Sequence, residues 1–519
     1  VSRIMHSGRA LMGHVVGGGK TASMLAAGMM MKQKGLVKKP LFVVPNHLTN
    51  QFAQELLRFY PSKNVLVTTK EDFQTMNRKK FVGKIATGEY DAVIMGHSQF
   101  FKIPMSKEYQ LKMTRKELKE VSYSVGKLKS EKGESWSLKQ MISFEKKLKE
   151  KLKKLSAEEH KDGLLNFEKL GVDFLFVDEA HTFKNLHTYT KLQNVAGVNT
   201  SNSQRASDMH MKCAYLLEEN EGRGVVFATG TPISNSMSEL FTMQRYLQPD
   251  VLRQMGISYF DSWASTFGEI ESALEITPEG SGYQMKNRFS KFHNLPELMT
   301  SFNLVADIQT AEMLKLPVPK IRTGKAELVV IDASEYQKQM VDQLANRAEA
   351  IRLKKVAPHE DNMLKITHEA KLMAIDPRLI DSNAPNERYS KIGVCCDKVY
   401  TVWLDSKELK STQMIFSDSG TPKKDKFNVY DEIKTQLLGK GIPENEIAFI
   451  HDAKNDKQKD VLFDKMRKGE VRILLGSTSK VGTGTNVQNK LLAVHHIDVP
   501  WRPSDIEQRD GRVVRQGNE

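Results

Sequence analysis

Cysteine is scarce: Cys213, Cys395 and Cys396 are the only three in 519 residues. That number and spacing suit neither a disulfide framework nor a thiolate metal site, so a reducing, cytoplasmic compartment is expected. Long apolar runs are missing too. The longest, Ala22 to Met31, is interrupted and then ended by Lys32, well short of the roughly 20 residues that a membrane-spanning helix needs. No membrane partner is expected, and the first residues lack the pattern of a secretory leader. No internal repeat of short period is present. What the chain has in excess is positive charge, with 77 Lys and Arg against 63 Asp and Glu, a net +14. That balance favours a polyanionic partner, nucleic acid first, although charge alone establishes only non-specific attraction. With 39% hydrophobic and 27% charged residues the composition is that of a globular protein. The length predicts two or three domains.

The most informative stretch is Leu11 to Thr21, LMGHVVGGGKT, followed by a helix-compatible apolar segment. A strand, a glycine loop and a helix in that order can cradle phosphate. Gly17, Gly18 and Gly19 let the chain turn sharply and aim backbone N–H groups inward, and the helix start adds the positive end of its dipole. Lys20 would reach the β- and γ-phosphates of a nucleotide, and the Thr21 hydroxyl would ligate Mg²⁺. The strict phosphate-loop pattern is not met, because its first glycine falls on His14. Alone, the stretch could be an ordinary turn between strand and helix.

A second half-site supports the nucleotide reading. Phe174-Leu175-Phe176-Val177-Asp178-Glu179-Ala180-His181 is an apolar strand that delivers two carboxylates at its carboxyl end, where parallel α/β sheets bind ligands. Asp178 could hold Mg²⁺ and Glu179 could polarise the attacking water. The alternative is a strand ending in a solvated acidic turn.

Strand and helix alternate from Leu11 through Val225–Thr231, which predicts a parallel sheet. Residues 107–162 break the rhythm with 16 Lys and Arg against 10 Asp and Glu. Leu118, Val121, Val125 and Leu128, then Met141, Phe144, Leu148, Leu152 and Leu155, recur at helical spacing and predict an antiparallel helical hairpin. It is either a basic arm that touches nucleic acid or a partner, or a solvated insertion. Residues 251–320 read as helical and polar, closing in the proline-rich linker Leu316-Pro317-Val318-Pro319. A strand at Ala326–Ile331 and a helical region to about 405 follow. A second parallel sheet is expected from Gln413–Ser417, Ile447–His451, Val471–Gly476 and Leu492–Ile497. The division is 1–250, 251–320 and 321–519. The chain ends with Gln508, Arg512 and Arg515. These arginines lie three apart, on one helical face, and could stabilise phosphoryl transfer. They could equally be surface charge on a terminal helix.

Taken in order, GGGKT, VVPNHLTNQF, DAVIMGHSQF, VDEAHTFKN, FATGTPISNSMSEL, MIFSDSG, LLGSTSKVGTGTNVQ and QRDGRVVRQG resemble the motifs of superfamily 2 helicases. They are most similar to the Swi2/Snf2-like translocases, and also to the helicase region of phage and conjugative-element proteins that is often fused to a DNA adenine methylase. The resemblance covers nearly the whole chain. It implies an α/β fold with two RecA-like parallel-sheet lobes and helical insertions, a P-loop NTPase using ATP and Mg²⁺. It implies Gly17, Gly18, Gly19, Lys20 and Thr21 on nucleotide and metal, with Asp178 and Glu179 on metal and water. Gly482 and Gly484 are implied near the nucleotide, with Gln508, Arg512 and Arg515 completing the catalytic set. Thr229 and Thr231 are implied to link the ATP site to a nucleic-acid track, and positions near Pro45, Ser98, Ser417 and Thr478 to line that track through backbone amides and hydroxyls, gripping phosphate without reading sequence. His14 departs from the pattern, as does Gly511, where Snf2-like proteins commonly carry aspartate.

The function these residues imply is an ATP-driven motor on double-stranded DNA, able to serve a fused or associated DNA methylase, of which no motif occurs in this chain. The alternatives are a strand-separating DNA or RNA helicase, for which only Trp501 offers a wedge, and a nucleotide-gated scaffold without turnover. Val1 to Met12 contain no glutamine. Superfamily 2 proteins usually read adenine through a glutamine upstream of the loop, so a longer parent polypeptide and weak base selectivity are expected.

Overall fold

Apolar runs without alternation build sheets that are covered on both faces. Pro40–Val44, Ala92–Gly96, Phe174–Asp178 and Val225–Thr229 are buried at every position. Successive side chains of these strands enter two different cores. Leu41, Val43, Val93, Met95, Leu175, Val177 and Phe227 fill one, while Phe42, Val44, Ile94, Phe176, Val226 and Ala228 fill the other.

The computed structural model describes residues 1–519 except 70, 131–135, 158–164, 191, 193–194, 199–202, 234–235, 277–282, 316, 322–323, 424, 482–486, 512, 514–517 and 519. It divides into two units, Val1–Leu274 with Met285–Leu314, and Glu275–Gln284 with Lys315–Glu519. In chain order the strands are β1 (Arg9–His14), β2 (Pro40–Val44), β3 (Val65–Val67), β4 (Ala92–Gly96), β5 (Phe174–Asp178) and β6 (Val225–Thr229). There follow β7 (Gly268–Ile276), β8 (Tyr283–Phe292), β9 (Ala306–Gln309), β10 (Thr412–Phe416), β11 (Ile447–Phe449), β12 (Ile473–Gly476) and β13 (Leu491–His496).

The first sheet runs β3-β4-β2-β5-β6-β1-β9, and every pairing in it is parallel. The helix Lys20–Gln33 packs on it closely because residue 28 is glycine. A Cβ there would meet the Phe42 ring at 2.7 Å and that of Phe176 at 3.2 Å. The second sheet runs β11-β12-β10-β13, again all parallel. Ile415, Ile473 and Leu475 point into one of its cores, Met414, Phe416 and Leu474 into the other. The protein is an α/β chain with two RecA-like parallel sheets.

The basic segment forms two helices, Lys107–Ser130 and Trp136–Ala157, joined by Val121, Val125 and Leu148; the expected turn at 131–135 lies outside the described residues. Two expectations fail. Residues 251–320 are not simply helical. Beside Phe260–Phe267 and Leu295–Asn303 they contain the β7–β8 ribbon and β9, which adds the seventh strand next to β1. The segment Ala326–Ile331 forms no strand and has no ladder partner among the described residues, with Leu328 and Val330 strongly exposed. Its alternation lacked a sheet edge to join. Helices Glu335–Arg352, Met363–Met373 and Lys391–Asp405 follow as expected, the first closed by a capping box of Ser334 and Gln337. Among the described residues no helix is long and apolar enough to cross a membrane.

Candidate active site

Pairing register brings the phosphate loop and the carboxylates together. Gly13 at the end of β1 lies opposite Thr229 of β6, and Ala228 lies opposite Asp178 of β5. Three adjacent strands therefore present the loop entry, a threonine and an acid at one edge of the sheet, their carboxyl ends.

Gly17 and Gly19 take positive φ, 83° and 74°, which only glycine adopts without strain. Gly18 is required for space, since its Cβ would sit 3.0 Å from the Val15 carbonyl oxygen. Gly19 caps the helix Lys20–Gln33 without a side-chain hydrogen bond, so the first N–H groups of that helix face outward as an anion site. Lys20 Nζ donates to the carbonyls of His14 and Val15 at 2.9 and 3.3 Å, lying across the concavity of its own loop. Thr21 follows in the first helical turn, half-buried.

Asp178 is buried. Burial first, then the neighbouring charge of Glu179, pushes its carboxyl from 3.8 up to about 7, against the pull of Lys20. A divalent cation would hold that group ionised. Glu179 adopts a left-handed backbone, φ 51°, and its carboxylate lies 3.2 Å from His181 Nδ1. The same nitrogen is 3.1 Å from the Thr229 hydroxyl, which accepts the Thr231 N–H at 3.1 Å. A relay thus runs from Glu179 through His181 to the turn after β6.

Two residues of this site were not singled out from sequence. His97 Nε2 contacts the Asp178 carbonyl at 3.0 Å, and its ring meets Phe183 edge-on. Burial holds its pKa down to about 4, so the neutral ring donates and props the strand end. Asn46 accepts from both Ser98 N and Ser98 Oγ, at 3.0 and 3.1 Å, tying Pro45 and Ser98 side by side at the ends of β2 and β4. Their sequence signals were a histidine and an asparagine each adjoining a residue already implicated.

The segment after the carboxylates is bolted to the helix Ser238–Leu247. Lys184 and Glu239, 4% and 1% exposed, pair at 2.8 Å, and the Tyr246 hydroxyl donates to Phe183 and Ala206 carbonyls. In the second unit Arg509 is completely buried. It reaches Thr478 Oγ1 at 2.8 Å, Asp418 at 2.8 Å and Asp498 at 3.0 Å, locking the helix Pro503–Asp510 to the ends of β10 and β12. Gln508, beside it, is half-exposed.

Three of the residues expected at or near the nucleic-acid track have buried hydroxyls. Thr229 is fully buried, with its hydroxyl spent on His181 and Thr231. Ser417, 2% exposed, donates to the Ser419 carbonyl, and Thr478 donates to Asp418. These hydroxyls hold loops together inside their units. Pro45, Ser98 and Thr231 remain accessible. Gly482, Gly484, Arg512 and Arg515 lie outside the described residues.

A glycine loop against a strand end with paired carboxylates, in a protein with two parallel sheets, defines a P-loop NTPase of RecA-like build. A family model described as a probable helicase domain matches residues 3–310, and one described as the helicase conserved C-terminal domain matches 396–517. The chain belongs to the helicases of superfamily 2. Among curated relatives, it is 30% identical over 190 residues to Defense against restriction protein B of Escherichia phage P1, covering 36% of this chain and 8% of that protein. It is 23% identical over 353 residues to the uncharacterized ATP-dependent helicase YqhH of Bacillus subtilis (strain 168), 67% of this chain and 54% of that one. The chain therefore spans less than two thirds of the length of either relative. The SWI2/SNF2 ATPase core of Sulfolobus solfataricus in complex with dsDNA matches with a TM-score of 0.33 and 16% identity, over 100% of this chain and 83% of that one. S. cerevisiae Dbp5 bound to RNA and ADP BeF3 matches with a TM-score of 0.39 and 11% identity, over 99% and 78%. The family assignment rests on the sequence matches.

Proposed function

We propose that this chain is an ATP-driven, Snf2-like motor that moves along double-stranded DNA. The observation that carries the reading is the relay from Glu179 through His181 to Thr229 and Thr231. It gives hydrolysis a physical route to the accessible turn where Thr231 would meet the nucleic-acid backbone.

Mg²⁺-ATP, when bound, supplies the phosphoanhydride whose cleavage drives the motor and the cation that offsets its charge. The residues present fit it. A Cβ at Gly19 would meet nothing within 4 Å, leaving room at the helix start. The Gly18 N–H closes the loop on the Val15 carbonyl at 3.0 Å, the N–H groups of Gly17 and Gly19 would bind phosphate oxygens, and the Lys20 ammonium would exchange two carbonyl partners for phosphate. Thr21 and Asp178 hold the metal. Glu179 accepts the proton of the water that hydrolysis consumes, and His181 orients that carboxylate. Gln508, Arg512 and Arg515 belong to the catalytic set by motif order, and Gly482 and Gly484 to the nucleotide set. A DNA-modifying enzyme such as a methylase is the partner class such a motor would serve.

One observation favours strand separation as a second reading. Trp501 is 73% exposed, an aromatic face open to base stacking. ATP turnover measured with duplex DNA, single-stranded DNA and RNA decides between them. Stimulation by duplex, with no unwinding of a labelled duplex, supports the translocase. Stimulation by single strands alone, coupled to unwinding, overturns it, and an absence of turnover with every ligand leaves a nucleotide-gated scaffold.

A further inference from the structure

A cavity of about 320 Å³ lies between the basic hairpin and the body of the first unit. Its inner wall belongs to the core on the other face of the sheet from the helix Lys20–Gln33, since Leu186 and Leu252 are members of that core. Five cationic side chains line it, Lys116, Lys147, Lys151, Arg245 and Arg253, against the two carboxylates Glu117 and Glu120. Glu117 already accepts the Tyr189 hydroxyl. Lys116, Lys147, Lys151 and Arg253 make no hydrogen bond or ion pair among the described residues, so the cavity keeps a positive excess.

At its inner end Arg245 donates to the His187 carbonyl at 2.7 Å. The His187 ring stacks on Phe144 of the hairpin, 4.7 Å between centroids, and its buried Nδ1 has no hydrogen-bond partner among the described residues. A space large enough for a small ligand, lined by more cationic than anionic side chains, suits an anionic occupant. Burial first, then the Arg245 charge, holds His187 and His210 down to about 4 and about 3.

We propose that this cavity binds a phosphate group, carried by a free ion or by the end of a nucleic-acid strand. Phosphate matches the chemistry better than a neutral ligand. Its oxygens accept from an arginine fork and several ammoniums at once, and its double charge meets the excess. Occupancy would also reach the ATP site. Arg245 lies on the helix whose Glu239 holds Lys184, and His187 is in the segment that begins at Glu179.

The test is calorimetric titration of the whole chain with inorganic pyrophosphate, with ADP saturating the phosphate loop. The comparison is the variant Lys147→Ala/Lys151→Ala/Arg253→Gln, all exposed positions, whose fold is checked by its unliganded melting temperature. Binding by the parent that weakens roughly tenfold or more in the variant is expected. Equal affinity in both proteins, no binding by the parent at millimolar pyrophosphate, or equally tight binding of citrate would overturn the proposal. A second arm titrates dinucleotides with a 5′-phosphate or a 5′-hydroxyl. Binding of the phosphorylated form alone assigns the strand end, and binding of pyrophosphate alone assigns the free ion; either result, if lost in the variant, supports the cavity.

Discussion

Replacing Asp178 by asparagine should make the unliganded protein more stable, and increasingly so as pH rises. In the folded chain the Asp178 carboxyl titrates near 7 in place of 3.8, because burial and Glu179 disfavour its charge. A raised carboxyl means that the folded state holds a proton which the unfolded state has released. Stability from this group is therefore intact below pH 4, falls as pH climbs from about 4 to about 7, and is fully lost above. At about 1.4 kcal/mol per unit of pKa, ionisation costs a little over one unit at pH 5 and about three at pH 8. The stability gap between Asp178→Asn and parent should widen by roughly 2 to 3 kcal/mol over that range. The assay is urea unfolding of both proteins in EDTA at pH 5, 6, 7 and 8, following the transition of the first unit. Titrations of His97, His187 and His210 are common to both proteins and cancel in the difference. Mg²⁺ with ADP should narrow the gap at pH 8, since a cation at Asp178 repays its ionisation. A gap that stays constant from pH 5 to pH 8 refutes the reasoning, and with it the view of Asp178 as a carboxylate held in reserve for a cation.

Lys20→Ala should abolish ATP hydrolysis, whereas Glu179→Gln should keep ATP affinity and lower turnover by about 10² to 10⁴; parental turnover in either variant removes the site assignment. Lys184→Met should cost about 3 to 5 kcal/mol in chemical denaturation because Glu239 loses its countercharge in the interior, and Lys184→Met/Glu239→Leu should recover most of it. On the hairpin, Lys146, Lys153 and Lys154 are exposed. Changing all three to glutamine should leave basal ATPase unaltered and flatten the salt dependence of DNA affinity by about 0.9 in log–log slope for each phosphate no longer neutralised. An unchanged slope would make that face inert toward DNA. Deleting the hairpin outright is the poorer experiment, since Tyr109 and Thr114 are buried and their removal would open the core of the unit.

The central strands were legible because burial on both faces forces unbroken apolar runs, and Leu41–Val44, Val93–Met95 and Phe174–Val177 have no other reading. Loop and carboxylates were legible for a related reason: phosphate and metal chemistry restrict residue type so tightly that GGGKT and VDEAH stand out without any fold. β9 was not legible. Ala306-Asp307-Ile308-Gln309 is short and half polar, and it becomes a strand only because β1 leaves an edge to pair with. The opposite error at Ala326–Ile331 has the same root, since a strand-like run needs an edge that the sequence cannot show. The burial of the Thr229, Ser417 and Thr478 hydroxyls was not legible, because hydroxyls that bind phosphate and hydroxyls that tie two loops share one sequence signature. Only burial separates them.

Buried charge in both units points to one requirement of the proposed motor. Lys184 with Glu239, and Arg509 with Asp418 and Asp498, lie inside their units at the ends of parallel strands. Such groups give little net stability compared with well-packed apolar side chains of the same volume, so stability is a poor explanation for their presence. Geometry is a better one. Apolar side chains tolerate sliding, whereas an arginine that donates to a threonine, two aspartates and a carbonyl at once satisfies all four in only one arrangement. The loops that follow β10 and β12 are thereby fixed to the helix Pro503–Asp510. The segment after Asp178 is fixed in the same way to the helix after Thr231. A relay as short as Glu179, His181 and Thr229 transmits a small displacement only if the elements at its ends move as rigid bodies. On this account the locks are positioning devices. Breaking the Lys184 pair should therefore uncouple ATP turnover from its stimulation by nucleic acid at temperatures where the fold still survives.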